Sequence, residues 1–232
     1  MKAMILAAGL GTRLRPLTER TPKPLLALAG KPMIGYHVEA LVAAGVRELV
    51  INVSWLGDQI EQVLGDGSAF GARIAYSREP GTPLDTGGGI RRALPLLGTD
   101  PFLLVAGDIW TDYPLQRLAG IRLGPSSLGH LVLVPNPPQH AAGDFSLDAT
   151  GRVGLAADAR RCTYAGVALL SPALLDGWDE DVFPLREPLR RAAGAGRLGG
   201  ELWSGDWEDV GTPERYEALN RRLLGRRTEA PA

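Results

Sequence analysis

Met4-Ile-Leu-Ala-Ala8-Gly9-Leu-Gly11-Thr12-Arg13-Leu-Arg15-Pro16-Leu-Thr18 is a short apolar run that breaks into a glycine loop, and Thr21-Pro-Lys23-Pro-Leu25 follows shortly after it. A continuous apolar run of this length is the pattern of a parallel strand buried on both faces. Glycines directly after such a strand let backbone N–H groups approach phosphate oxygens with no Cβ in the way. Arg13 and Arg15 add guanidinium groups, which match phosphate oxygens two at a time. Lys23 stands between two prolines that stiffen the chain around a single charged side chain.

Two common phosphate-binding patterns fail on this stretch. A dinucleotide loop needs a third glycine near Leu14, a helix opening at once and an acidic residue about 20 residues on. Here Pro16 interrupts the helix, and the next strand ends at Asn52-Val53. A P-loop needs Gly-Lys-Ser/Thr after its glycines, and that tripeptide does not occur in the chain.

Outward from the loop, the periodicity alternates between the two regular structures. Pro32 opens a helix whose stripe is Met33, Ile34, His37, Val38, Leu41 and Val42, and Gly45 ends it. Glu48 to Val53 reads as a strand, Ile60, Val63 and Leu64 as a helix, and Ala72 to Tyr76 as a third strand. A helix from Gly88 to Leu97 leads to a fourth strand, Pro101 to Ala106, which ends at Gly107-Asp108. Strands alternating with helices predict an α/β fold with a mixed, mostly parallel sheet and helices on both faces. In the second half, Leu128 to Val134, Phe145 to Leu147 and Thr163 to Leu170 read as strands without a helix between each pair, a small antiparallel addition serving a second ligand. Helices are expected from Pro184 to Ala193 and from Pro213 to Leu224, and residues 226–232 read as a flexible tail. The expected organisation is one domain over 1–225 in two halves, 1–120 and 121–225, each serving one ligand.

Composition narrows the class. The 232 residues carry a formal net charge of -1, so no basic field points to nucleic acid. The lone Cys162 rules out an internal disulfide or a cysteine zinc cluster, and it reads as a small apolar strand residue. The apolar start is too short for a signal peptide, and no run reaches the roughly 20 apolar residues needed to cross a bilayer. A cytoplasmic location with no membrane partner is the expectation.

The string Gly-x-Gly-Thr-Arg-Leu-x-Pro-Leu-Thr with Pro-Lys-Pro-Leu, together with Gly107-Asp108 and Trp207-Glu-Asp209-Val-Gly-Thr-Pro-Glu-Arg-Tyr216, resembles the signature of the sugar-1-phosphate nucleotidyltransferases. The resemblance spans nearly the whole chain and implies a Rossmann-like nucleotidyltransferase fold. Within that family, the short length and Leu84-Asp-Thr-Gly-Gly-Gly89 are most similar to the bacterial N-acetylmuramate-1-phosphate uridylyltransferases of peptidoglycan recycling, with mannose-1-phosphate guanylyltransferases close behind.

The implied reaction is in-line attack by a sugar phosphate oxygen on the α-phosphorus of a nucleoside triphosphate, with pyrophosphate leaving. A phosphate monoester is already largely dianionic at neutral pH, so no general base is required. The need is for alignment and charge neutralisation. Asp108 lies at the carboxyl end of an apolar strand, where open α/β sheets bind ligands. Asp209 lies in a turn before the last helix, and two carboxylates from separate elements suit Mg2+. The family pattern gives both to the metal. Arg13 and the loop residues Ala8, Gly9, Gly11 and Thr12 are assigned to the triphosphate, and Lys23 to the phosphates at the reacting centre, with Arg13, Lys23 and Asp108 as the catalytic set. His37 reads as structural.

Glu79, Asp85, Thr86, Gly87 and Gly88 are expected to flank the nucleobase. A carboxylate offers acceptors only, which favours guanine. Alternatively Glu79 faces solvent and backbone groups of Ala8, Gly9 and Gly87 read uracil, the choice the overall resemblance supports. Gly143, Asp144 and Gly166 match segments that approach the sugar. The family's Glu-Lys-Pro element, whose lysine meets the sugar phosphate, is replaced by Ala157-Asp-Ala-Arg160-Arg161-Cys162. Arg160, Arg161 and His140 are the candidate cations for that phosphate or for a muramate carboxylate. A guanylyltransferase using GTP and a nucleotide-sugar sensor without turnover are the competing readings. A monomer or weak homodimer is expected.

Overall fold

A computed structural model describes residues 1–79, 81, 83–156 and 159–229. Strand β1 (Lys2–Leu6) runs into the glycine loop, and the hairpin β2 (Ala27–Leu28) and β3 (Lys31–Pro32) follows. Helix α1 (Met33–Ala43) leads to β4 (Glu48–Val53), α2 (Gly57–Leu64) to β5 (Arg73–Arg78), and α3 (Asp85–Leu97) to β6 (Phe102–Ala106). Next come β7 (Ile109–Thr111), the short α4 (Gln116–Ala119), β8 (Gly129–Val134), β9 (Phe145–Leu147), β10 (Val153–Gly154) and the long β11 (Arg161–Leu170). The described chain ends with α5 (Arg186–Gly194), β12 (Leu198–Leu202), β13 (Trp207–Asp209) and α6 (Pro213–Glu229).

Strand β1 is central, parallel to β4 on one side and to β6 on the other, with β5 parallel beyond β4. Strand β11 joins β6 antiparallel, β8 joins β11 antiparallel, and β12 closes that edge parallel to β8. The start of β11 reaches past β6 to carry the small antiparallel β9 and β10. The period of two in each strand sorts side chains onto opposite faces. Ala3, Ile5, Leu49, Ile51, Leu103, Val105, Val167 and Leu169 fill one core, and Met4, Val50, Phe102, Leu104, Ala168 and Leu170 fill the other. The apolar runs are continuous because both faces are covered. A third cluster, built from Leu14, Leu28, Met33, Trp110, Val210, Leu219 and Leu223, pins α6 beneath the amino-terminal loop.

The mixed, mostly parallel sheet with its antiparallel addition is as expected. The differences lie in short elements absent from the sequence reading (the β2–β3 hairpin, β7, α4, β10), in Asp209, which ends strand β13 where a turn is expected, and in the following places. Strand β12 was not anticipated, because Gly199-Gly200 reads as a turn. A Cβ on Gly200 would stand 2.6 Å from Val153 Cγ2 and 2.9 Å from the Leu131 carbonyl oxygen, so glycine is what lets β10 lie against β12. Helix α3 starts at Asp85 rather than Gly88. Helix α6 continues to Glu229, through the first residues expected as tail, while 230–232 lie outside the described residues, as do Ala157 and Asp158.

Candidate active site

The site forms where β1 and β6 end side by side. The Gly107 N–H donates to the Leu6 carbonyl oxygen (2.8 Å), and a Cβ on Gly107 would meet that same oxygen at 2.3 Å. Only glycine allows the approach, and it delivers Asp108 to the mouth of the loop after β1. Lys23 Nζ lies 2.8 Å from Asp108 Oδ2, with the lysine side chain 10% exposed and the aspartate 49%. A largely buried ammonium thus sits at the floor, paired with a carboxylate open to the cleft. Gly11 adopts φ +63° and accepts the Thr18 hydroxyl at its carbonyl (2.7 Å), which folds the loop back on itself. Gly9 has open space where a Cβ would be, so its backbone faces the cleft unobstructed.

A cleft of about 550 Å3 is lined by Ala8, Gly9, Gly11, Thr12, Arg13, Lys23, Glu79, Thr86 and Asp108, among others. These expected nucleotide-site residues, with Asp85, therefore share one cavity, and Gly87 and Gly88 are the exceptions. The Gly87 N–H donates to the Phe183 carbonyl oxygen (2.9 Å) and a Cβ there would meet the Phe183 ring at 2.3 Å, so Gly87 packs α3 against the Phe183 segment. With that N–H already bonded, the idea that it reads uracil is corrected. The proposed solvent-facing Glu79 is also corrected, since this residue is 5% exposed. Its Oε1 accepts from Asn52 Nδ2 (2.7 Å) and its Oε2 from the Leu84 N–H (2.8 Å), while Asn52 Oδ1 accepts from the Ala7 N–H (2.8 Å). The chain of bonds ties β1, β4, β5 and the start of α3 together under the cleft. Asn52 was not singled out in the sequence; a lone amide at the carboxyl end of an otherwise apolar strand was the available signal.

A second cavity of about 270 Å3 adjoins the first, and Leu6, Thr86, Ala106 and Asp108 line both. Asp144, Gly166 and Asp209 face it with Tyr164, Arg186 and Trp207. Gly166 sits at the bulge in β11 with φ +74°, where a Cβ would crowd Ala106 at 2.8 Å. Asp144 Oδ2 accepts from the Tyr164 N–H (2.9 Å), so its other oxygen is the one left for a ligand. Gly143 lines neither cavity and serves the turn, its N–H donating to the His140 carbonyl oxygen (2.9 Å).

Strand β13 pairs with β7, setting Asp209 opposite Ile109, and the Val210 N–H donates to the Asp108 carbonyl oxygen (2.8 Å). The two aspartates, 101 positions apart by their numbers, are thus brought together, Asp108 in the turn that leads into β7 and Asp209 at the end of β13. Asp209 Oδ1 accepts from Gln139 Nε2 (2.8 Å) and from Arg215, and Oδ2 lies 3.4 Å from His140 Nε2. Burial pushes the Asp209 pKa up, but the bonds from Gln139, Arg215 and His140 and the Arg215 charge outweigh it and hold the carboxyl below its usual range. Among the described residues no group of three or more His, Cys, Asp or Glu side chains could hold a metal ion. Two carboxylates completed by substrate phosphate oxygens are the arrangement Mg2+ accepts.

His37 is 5% exposed on α1, behind Asp108, and its Nε2 has no hydrogen-bond partner. Burial lowers its pKa to about 4, against smaller opposing effects from the Asp108 charge and a hydrogen bond to the Ile109 backbone. Between that value and the usual imidazole pKa of about 6.5, the unfolded chain binds a proton that the folded chain refuses. Stability therefore falls as pH drops through this window, by about 3 kcal/mol in all. Urea midpoints measured from pH 7 to 4.5 should fall more steeply for the wild-type chain than for His37→Gln. Parallel slopes would remove His37 from the acid response.

Two adjoining cavities share Asp108 on their wall, the larger carrying Arg13 and Lys23 and the smaller, mostly apolar, carrying Asp144, Asp209 and Arg186, an arrangement suited to two ligands meeting at one carboxylate. A model of the family described as "Nucleotidyl transferase" matches residues 2–153. An N-acetylmuramate alpha-1-phosphate uridylyltransferase of Neisseria meningitidis is 49% identical over 91% of this chain and 94% of its own. One of the same name from Caulobacter vibrioides is 35% identical over 95% and 96%. A crystal structure from Bacillus anthracis, named as a glucose-1-phosphate thymidylyltransferase in complex with a sucrose, superposes with a TM-score of 0.84 at 19% identity, covering 97% of this chain and 95% of that one. The chain belongs to the nucleotidyl transferase family, among its sugar-1-phosphate nucleotidyltransferases. No helix among the described residues is long and apolar enough to cross a membrane.

Proposed function

We propose that the chain transfers the uridylyl group of UTP to N-acetylmuramate 1-phosphate, giving a UDP-sugar and pyrophosphate, as a cytoplasmic step of peptidoglycan recycling. The observation that supports the reaction is the pair of cavities meeting at Asp108, the larger assigned in this reading to the nucleotide and the smaller to the sugar phosphate. The choice of substrates follows the two relatives of that name. Glu79 argues less for guanine, because it is 5% exposed and held by Asn52 and the Leu84 N–H, with one hydrogen bond from within the fold to each oxygen.

In this reading the glycine loop and Arg13 hold the β- and γ-phosphates, and Lys23 holds the α-phosphate beside Asp108. A sugar phosphate oxygen forms the new bond to the α-phosphorus while the bond to the β-phosphate's bridging oxygen breaks, and pyrophosphate carries the charge away. Asp108 and Asp209 hold Mg2+, which when bound neutralises charge on the phosphates. Buried Lys23 needs no reorganisation as charge develops, which is where fixed cations are most effective.

A ligand that binds only the native state raises the melting midpoint. UTP with Mg2+ at about 100 times its dissociation constant should stabilise the chain by about 2.7 kcal/mol, a rise of roughly 5–10 °C at this size. The same panel run with GTP, ATP and CTP should show much smaller shifts, and only UTP with N-acetylmuramate 1-phosphate should release pyrophosphate rapidly. A larger shift with GTP would make the chain a guanylyltransferase.

A further inference from the structure

The side chains facing the second cavity include three carboxylates, Asp108, Asp144 and Asp209, and one cation, Arg186. Asp108 is matched by Lys23 and Asp209 by Arg215. Among the described residues Arg186 has no such fixed partner. Its Nε lies 3.3 Å from the carboxylate of Glu187, the next residue, with the two side chains 66% and 45% exposed. Such a pair contributes little, and it leaves both terminal nitrogens of the guanidinium available. The cations expected from sequence do not serve here. Arg161 is turned to the Asp144 carbonyl oxygen (2.6 Å), His140 lies against Asp209, and neither they nor Arg160 line the cavity.

The position of Arg186 is fixed by the fold. It is the first residue of α5, and the preceding Leu185 donates its N–H to the Thr86 hydroxyl (2.8 Å) at the start of α3. Thr86, Leu185 and Leu189 also line the cavity, so the rim that bears Arg186 is anchored on both sides. Every sugar 1-phosphate brings its phosphate charge to this cavity, and a sugar with its own carboxylate brings a further negative charge among Asp108, Asp144 and Asp209, which Arg186 on the cavity wall is placed to offset. A guanidinium meets a carboxylate with two parallel hydrogen bonds.

We propose that Arg186 is the residue by which this enzyme recognises an acidic substituent on its sugar, the lactyl carboxylate in the case of N-acetylmuramate 1-phosphate. The inference rests on the proposed uridylyl transfer to that sugar. The same guanidinium would also suit the sugar phosphate, and N-acetylglucosamine 1-phosphate separates the two anions, since it keeps the phosphate and lacks the lactyl ether.

The test measures kcat/KM with UTP, and binding by calorimetry, for both sugar phosphates with the wild-type chain, Arg186→Gln and Arg186→Lys. A charged hydrogen-bond pair lost at this site should weaken N-acetylmuramate 1-phosphate by roughly 10- to 100-fold in Arg186→Gln. N-acetylglucosamine 1-phosphate should change by less than about threefold, and Arg186→Lys should recover part of the loss. An equal fall for both sugars would place Arg186 on the phosphate and overturn the proposal, as would no fall for either. Failure of the wild-type chain to use N-acetylmuramate 1-phosphate at all would instead sink the proposed function, and is seen before any variant is made. Arg186 is exposed, and an unchanged melting midpoint would exclude misfolding of the variants.

Discussion

Asp108→Asn is expected to lose about a thousandfold in kcat while keeping the fold of the wild-type chain. The loss follows from what the carboxylate does that an amide does not. Asp108 lies on the wall shared by both cavities, half exposed, with Lys23 Nζ at 2.8 Å. An amide keeps the shape and can still accept from Lys23 through its oxygen, but it brings no charge to a divalent ion. Metal-assisted charge neutralisation is worth several kcal/mol at the transition state, and each 1.4 kcal/mol is tenfold in rate. The fold survives because the contacts that place residue 108 are main-chain. Gly107 N–H donates to Leu6 O, and Val210 N–H donates to Asp108 O. Pyrophosphate release at saturating substrates measures the first effect, and far-UV circular dichroism with the melting midpoint measures the second. Activity within tenfold of wild type would remove Asp108 from the metal.

What the sequence made legible was what is local in the chain. The strand ending at Gly9, the Pro-Lys-Pro arm and the Gly107-Asp108 strand end are each set by a few adjacent residues. Each lies close to where the sequence put it, although β1 stops at Leu6 rather than at Gly9, and the loop, Lys23 and Asp108 line the larger cavity. What could not be read was set by partners distant in the chain. Gly199-Gly200 has the composition of a turn, yet it forms a strand paired with β8, and at Gly200 Val153 and Leu131 leave no room for a side chain. Glu79 was weighed by its own chemistry, and it is Asn52, on the neighbouring strand, that decides what its oxygens can accept. Arg215 stands in the same motif as Asp209, but its role on that carboxylate emerges only when α6 is packed beneath the loop. Arg186 sits in a helix whose pattern reads as ordinary surface, and only the cavity beside it gives the charge a purpose.

Gly87→Ala is the substitution expected to cost the most stability, and it tests whether the triple glycine serves packing rather than base recognition. In an open helix the change would be favourable, by roughly 0.5–1 kcal/mol. Here the added methyl would stand 2.3 and 2.4 Å from ring carbons of Phe183 and 2.8 Å from its carbonyl oxygen. The ring cannot easily retreat, since it is 4% exposed and packed 5.2 Å from Trp178. The carbonyl accepts the N–H groups of both Gly87 and Gly88, so moving the backbone loosens two hydrogen bonds. Overpacking of this kind costs 1–3 kcal/mol or more, and with the two weakened bonds the net loss should be about 2–4 kcal/mol. The melting midpoint should fall by roughly 4–16 °C. The displacement has a functional consequence, because the segment it pushes continues into Leu185 and Arg186, which line the sugar cavity and are tied to α3 by Thr86. The KM for the sugar phosphate should therefore rise more than the KM for the nucleotide, whose cleft rests on β1, the glycine loop and Lys23. If the glycines instead read the base through a free N–H, the pattern would reverse: nucleotide KM would rise with little change in the melting midpoint.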